Sequence, residues 1–182
     1  MRVLAFSASL RKGSFNSLLI KIASNVARDK GCSVDLITLS DFDIPLYNGD
    51  IEENDGIPKS VLDLKKKMED SDCLIISSPE YNYSVPGVLK NIIDWVSRAK
   101  PQPFKGKNIL LMSASPSMVG GNRGLWALRI PLEGLGAFVY PEMFSLCVAN
   151  EAFDPSGNMK APARSKSLAD NVEAFIMSIG KK

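Results

Sequence analysis

The chain has 182 residues, 45% of them apolar and 23% charged, with a net charge of +2. That length predicts one domain over residues 1–182 with a full hydrophobic core. The near-neutral charge excludes the strong field that recruits nucleic acid or an anionic membrane.

Histidine is absent. Its absence excludes Ser-His-Asp and Cys-His nucleophile systems and every histidine-containing metal site. Chemistry must come from carboxylates, tyrosines, lysines or a cofactor. Cys32, Cys73 and Cys147 are far apart with no Cys-x-x-Cys, so a zinc ribbon or paired-thiol redox motif is unavailable. Cys73 and Cys147 fall in apolar runs and read as buried thiols of a reducing compartment. The first residues already form a strand pattern with no leader, and no apolar stretch approaches the ~18 residues that span a bilayer. A cytoplasmic protein is expected.

In chain order, Arg2–Ser7 reads as a buried strand and Ser9–Ser14 as a polar loop. A helix follows over about Phe15–Asp29, with Leu18, Leu19, Ile22, Ala23 and Val26 as its inner stripe. Ser33–Thr38 is the second strand, and Asp41–Ile57 a long connection rich in Asp, Asn, Gly and Pro. Pro58–Asp70 is a charged helix, Cys73–Ser77 the third strand, and Pro86–Ser97 a helix with proline in its tolerated first turn. Asn108–Ser113 is the fourth strand, followed by a glycine-containing loop, Ser115–Gly121, and a helix to about Leu135. Ala137–Tyr140 and Phe144–Val148 both qualify for the fifth strand, and the last helix covers about Ala163–Ile179.

Alternating strands and helices predict an α/β three-layer sandwich around a doubly wound parallel sheet. Five strands fit the flavodoxin-like order 2-1-3-4-5, whose switch point lies between strands one and three. Ligands of such sheets bind outside the carboxyl ends of the strands. Three loops emerge there.

The first, Ser9–Asn16, runs into a helix N-terminus, where free N–H groups and the helix dipole favour an anion. Ser9, Ser14 and Asn16 add neutral donors, and Arg11 offers a two-pronged phosphate contact. Ser14 reads equally as a plain helix cap. Neither the dinucleotide Gly-x-Gly-x-x-Gly nor the P-loop pattern occurs. The second, Pro79-Glu80-Tyr81-Asn82-Tyr83, is a proline-stiffened loop whose main chain and two tyrosines suit the edge of a flat, polar-rimmed ring. Glu80 reads as a general acid or base, or more simply as a solvated carboxylate or loop brace. The third, Ser115-Pro116-Ser117-Met118-Val119-Gly120-Gly121, contains glycines that let a backbone approach a ligand, or that form an ordinary turn. The acidic residues between Asp41 and Asp55 match no calcium loop and read as a solvated connection, and Asp154–Asn158 as a turn.

Taken together, Ser9-Leu10-Arg11-Lys12-Gly13-Ser14-Phe15-Asn16, Ile44-Pro45-Leu46-Tyr47-Asn48, Pro79 through Trp95, Ser115-Pro116 with Gly120-Gly121, and Ala152-Phe153-Asp154 resemble the NAD(P)H-dependent FMN reductase family. The likeness is to its quinone, azo-dye and chromate reductase-like members and covers nearly the whole length. It implies a flavodoxin-like fold with non-covalent FMN and with NADPH or NADH as co-substrate. It also implies a small-molecule acceptor: a quinone, azo compound, chromate or free flavin. By the same resemblance Ser9, Arg11, Ser14 and Asn16 hold the FMN phosphate, with Phe15 beside them. Pro79, Glu80, Tyr81, Asn82 and Tyr83 line the ring, and Ser115, Gly120 and Gly121 close its other side. No side chain is assigned a catalytic step, because the chemistry sits on the flavin. Relatives form homodimers or homotetramers, which gives the Tyr47 loop and the Trp95 helix interface roles. Ala8 and Ser117 stand where many relatives carry glycine, narrowing the backbone's approach to a ligand there. Two other readings share the fold: a flavodoxin-type electron carrier, and a flavin-binding sensor without NAD(P)H turnover. The slightly basic charge and serine-rich loop speak against the carrier.

Overall fold

A computed structural model describes residues 1–180. The strands are β1 (Arg2–Ser7), β2 (Ser33–Thr38), β3 (Cys73–Ser77), β4 (Asn108–Ala114), β5 (Phe138–Val139) and β6 (Phe144–Leu146). All pair in parallel in the order β2-β1-β3-β4-β5, with β6 also on β4. The fifth position is therefore shared. β5 pairs with Asn108 and Ile109 at the start of β4, and β6 with Met112–Ala114 at its end. Both candidates for that strand are correct. They are separated by Pro141-Glu142-Met143, where proline has no N–H to give the ladder.

The helices are α1 (Phe15–Asp29), α2 (Gly49–Asp55), α3 (Lys59–Glu69), α4 (Gly87–Val96), α5 (Asn122–Gly134), α6 (Ala149–Ala152) and α7 (Pro162–Ile179). Strand residues alternate between two cores, as a pleated strand with both faces covered requires. Leu4, Phe6, Leu74, Ile76, Ile109 and Leu111 join α3, α4 and α5 on one face. Val3, Ala5, Cys73, Ile75, Leu110 and Met112 join α1 and α7 on the other.

Three local expectations change. The inner face of α1 is Leu19, Ile20, Ala23 and Ala27 with Asn16 and Ser24, while Leu18, Ile22 and Val26 are only half-buried. Because α1 packs on both the sheet and α7, its apolar arc is wide, and small residues take the closest approach. The long connection contains α2, capped by the Asn48 side chain accepting from the Asp50 N–H. The short α6 was not expected either.

Register positions the functional end of the sheet. Ser7 pairs with Ser77, and Ser77 with Met112. The loops after β1, β3 and β4 thus begin near one level, and the ladder runs on through Ala8 N–H to Ser77 O and Ser78 N–H to Met112 O, both 2.8 Å.

Candidate functional site

At that end a cleft of about 200 Å³ is lined by Ser9, Arg11, Ser14, Phe15, Asn16, Pro79, Glu80, Tyr81, Ala114, Ser115 and Pro116. All three loops contribute. A larger cavity of about 410 Å³ lies at the opposite ends of the strands, among Arg2, Ser33, Asp35, Lys67 and Ser71. Its rim is bridged by the Lys67–Asp35 ion pair at 2.8 Å, and the strand-end rule favours the smaller cleft.

The β1 loop caps its own helix and still keeps donors free. Ser14 Oγ accepts from the Asn16 N–H at 3.2 Å. The main-chain N–H groups of Arg11, Lys12, Gly13 and Phe15 make no hydrogen bond to other described residues. The Arg11 guanidinium lies 5.6 Å from the Phe15 ring centroid and has no carboxylate partner among the described residues. Free amides, the positive end of α1 and an unpaired arginine make a donor set that fits a phosphate.

Asn16 lines the cleft, but its carboxamide is spent on the fold. Its Nδ2 donates to Ala114 O at 2.9 Å. Its Oδ1 accepts from the Ala114 N–H at 3.0 Å and the Ser77 hydroxyl at 2.9 Å. One buried side chain therefore ties the start of α1 to the ends of β3 and β4.

In the second loop, Tyr81 and Ser84 exchange main-chain hydrogen bonds of 3.1 and 3.0 Å around Asn82 and Tyr83. Both central residues have positive φ, 49° and 65°. That is the two-residue turn for which Asn-Gly is preferred, with tyrosine in place of glycine. Asn82 and Tyr83 sit at the exposed tip and are not among the lining residues. Glu80 is the brace among its two readings. One oxygen accepts from the Gly124 N–H at 3.0 Å and the other pairs with Arg123 at 2.8 Å.

In the third loop, Ser115 lines the cleft, whereas Gly120 and Gly121 lie buried behind it. A Cβ on Gly120 would meet the backbone of Leu146 and Cys147 at 2.9 Å. Gly121, at φ +83°, occupies the N-cap of α5. Ala8 and Ser117 both keep negative φ, so losing glycine at these positions costs no backbone strain. Ala114, Arg123 and Gly124 went unnoticed in the sequence, and Pro116 was part of the Ser115-Pro116 motif without a site role of its own. Ala114 and Pro116 directly flank the assigned Ser115, and Arg123 and Gly124 lie in the helix beyond the loop.

Beside the cleft, Leu10 of the β1 loop also borders an apolar groove with Leu39, Phe42, Ile44, Val88 and Ile92. The segment leading to α2 is held by Asn91, which accepts from the Tyr47 N–H at 2.8 Å and donates to Pro45 O at 2.9 Å. Trp95 Nε1 donates to the same carbonyl. Glu52 accepts from both Tyr47 and Arg98. The Arg98 bond holds the Glu52 carboxyl below its usual range, and the Glu52 bond pushes the Tyr47 hydroxyl and the Arg98 guanidinium up.

A 2-1-3-4-5 sheet with a donor-rich loop at its switch point defines the class of flavodoxin-like doubly wound α/β proteins, and an archaeal flavodoxin shares the fold at TM-score 0.62 over 99% of both chains, with 9% identity. The family model for NADPH-dependent FMN reductase matches residues 1–151, and the chain belongs to that family. It is 35% identical to a quinone reductase of Escherichia coli over 96% of this chain and 93% of the relative. It is 38% identical to an NAD(P)H-dependent FMN reductase of Pseudomonas aeruginosa over 87% and 84%. The flavoenzyme NAD(P)H:(acceptor) oxidoreductase FerB of Paracoccus denitrificans superposes at TM-score 0.83 with 32% identity, over 99% and 97%. The protein is an oxidoreductase with FMN as cofactor and NAD(P)H as reductant. No helix among the described residues is long and apolar enough to cross a membrane.

Proposed function

We propose that this chain, a single FMN-binding domain over residues 1–182, is a cytoplasmic reductase of quinones. Azo compounds, chromate and free flavin are further acceptors. The carrying observation is the three-loop cleft with its free amides and unpaired Arg11. Ser9, Arg11, Ser14 and Phe15 take the phosphate end of FMN, and Asn16 holds the start of their helix to the ends of β3 and β4. Pro79, Glu80, Tyr81, Asn82 and Tyr83 frame the ring, and Ser115, Gly120 and Gly121 shape its far side.

FMN, once bound, supplies the two-electron chemistry that a chain without histidine lacks. The chain's own work is orientation and charge placement. Tyr81 and Tyr83 are 50% and 69% exposed, an open rim that suits alternate stacking of nicotinamide and a flat acceptor. The relatives named quinone reductase favour quinones first.

Large apolar side chains project outside the cleft: Leu46, Met118, and Trp126 with Ile130 one turn apart on α5. Such exposure supports a homodimer or homotetramer, and light scattering on the purified protein tests it.

The purified protein is expected to be yellow, to bleach anaerobically with NADPH or NADH, and to recover colour on adding a benzoquinone. Flavin that stays oxidised with either nucleotide refutes the proposal. Arg11→Ala is expected to weaken FMN binding by about 1.5–3 kcal/mol, roughly 10–150-fold in Kd. Unchanged affinity removes Arg11 from the site.

A further inference from the structure

The turn at Asn82-Tyr83 stores backbone strain at a position where glycine would be free of it. A strained residue persists only when its surroundings hold it. Here the holder is visible. Arg123 stacks over the Tyr83 ring at 4.3 Å, and its Nε and Nη2 contact Glu80 Oε1 at 3.0 and 2.8 Å. The other oxygen of Glu80 takes the Gly124 N–H, a first-turn donor of α5. The N-cap of that helix is Gly121, which has no side chain to satisfy it. α5 also approaches the loop closely at Gly124, where a Cβ would lie 3.0 Å from Glu80 Cα and Cβ.

We propose that Glu80 and Arg123 are positioning residues, forming a clasp that caps α5 from outside and fixes the Tyr81–Ser84 turn against it. The clasp sets the separation of the two cleft walls, Pro79–Tyr81 and Ala114–Pro116. The Glu80 carboxylate neither touches the flavin nor moves a proton. Arg123 acts only through Tyr83 and Glu80. This role rests on the cleft being the FMN site, and it concerns its shape rather than its occupancy.

The test is a double-mutant cycle with Glu80→Gln and Arg123→Ala, read by FMN Kd, flavin reduction potential and apoprotein hydrogen exchange at the Tyr81 and Ser84 amides. Coupled residues give non-additive effects. Each single variant is expected to raise the Kd about tenfold, and the double variant to stay within about twofold of the worse single. Both shift the potential in the same direction, and both speed exchange at the two amides without flavin. Arg123→Lys, which keeps charge but loses the planar fork and its stacking, recovers only part of the effect.

Multiplying Kd effects would overturn the clasp, because Glu80 would then meet the flavin independently. Unchanged exchange in the apoprotein would overturn it as well. If exchange speeds up while Arg11→Ala leaves FMN affinity intact, the clasp stands and the phosphate assignment falls.

Discussion

Replacing Asn16 with alanine removes three hydrogen bonds at one point: to Ala114 O, from the Ala114 N–H and from the Ser77 hydroxyl. Asn16 is 3% exposed, Ala114 3% and Ser77 0%, so water does not take over the stranded groups. Three net bonds of about 1 kcal/mol each give about 3 kcal/mol, and the buried orphans raise the loss toward about 5 kcal/mol. A domain holds about 5–15 kcal/mol in all, so the variant keeps little reserve. With a urea slope of about 2 kcal/mol/M, the apoprotein's midpoint falls by about 1.5–2.5 M. Asn16→Asp keeps an acceptor for the Ala114 N–H and Ser77 but sets a buried carboxylate against the Ala114 carbonyl, so it too loses more than about 2 kcal/mol. Equilibrium unfolding without flavin is the deciding assay, since a residue that only met the phosphate would leave it unmoved. A loss below about 1 kcal/mol for Asn16→Ala refutes the bridging role.

Three further outcomes are accessible to simple measurements. Ser24 is fully buried in α1 and its hydroxyl has no partner among the described residues; Ser24→Ala should therefore gain about 1 kcal/mol in urea unfolding, and a loss contradicts it. Burial, then the neighbouring Cys32 thiol, push Cys73 up to about 12. A disulfide thiol reagent at pH 8 is expected to label half-buried Cys147 first and Cys73 only on unfolding; equal rates refute this. Because Arg98 lowers the folded Glu52 carboxyl below its reference value of 4.5, its stabilisation is complete above that pH and lost as pH falls through the folded value. Glu52→Gln should flatten that part of the acid limb in pH-dependent unfolding, and an unchanged limb refutes the assignment.

Strands buried on both faces are the easiest elements to find, and β1 and β3 were legible because Val3–Phe6 and Cys73–Ile76 are unbroken apolar runs. The fifth position was harder, since neither Phe138–Val139 nor Phe144–Leu146 is long enough to stand alone. Only the shared partner β4 shows them to be one interrupted strand. α2 has a single apolar residue, Ile51, and no stripe for periodicity to detect. Its signal lay in the Asn48 cap and the acidic first turn instead.

The site divides along the same line. That three loops meet was legible, because strand order alone fixes which carboxyl ends are neighbours. What each polar side chain does there was not. Asn16 and Glu80 carry functional groups suited to a ligand, and sequence cannot show that a backbone amide from 98 or 44 residues away reaches them first. Their chemistry goes into holding the loops, as the capless Gly121 and the strained Tyr83 require. In the proposed FMN site the groups left over are then mainly those without side-chain signatures: the free amides of residues 11–13 and 15, and the main-chain N–H and C=O of Glu80. The binding site is thus specified less by the polar residues that mark it than by the backbone geometry those residues enforce.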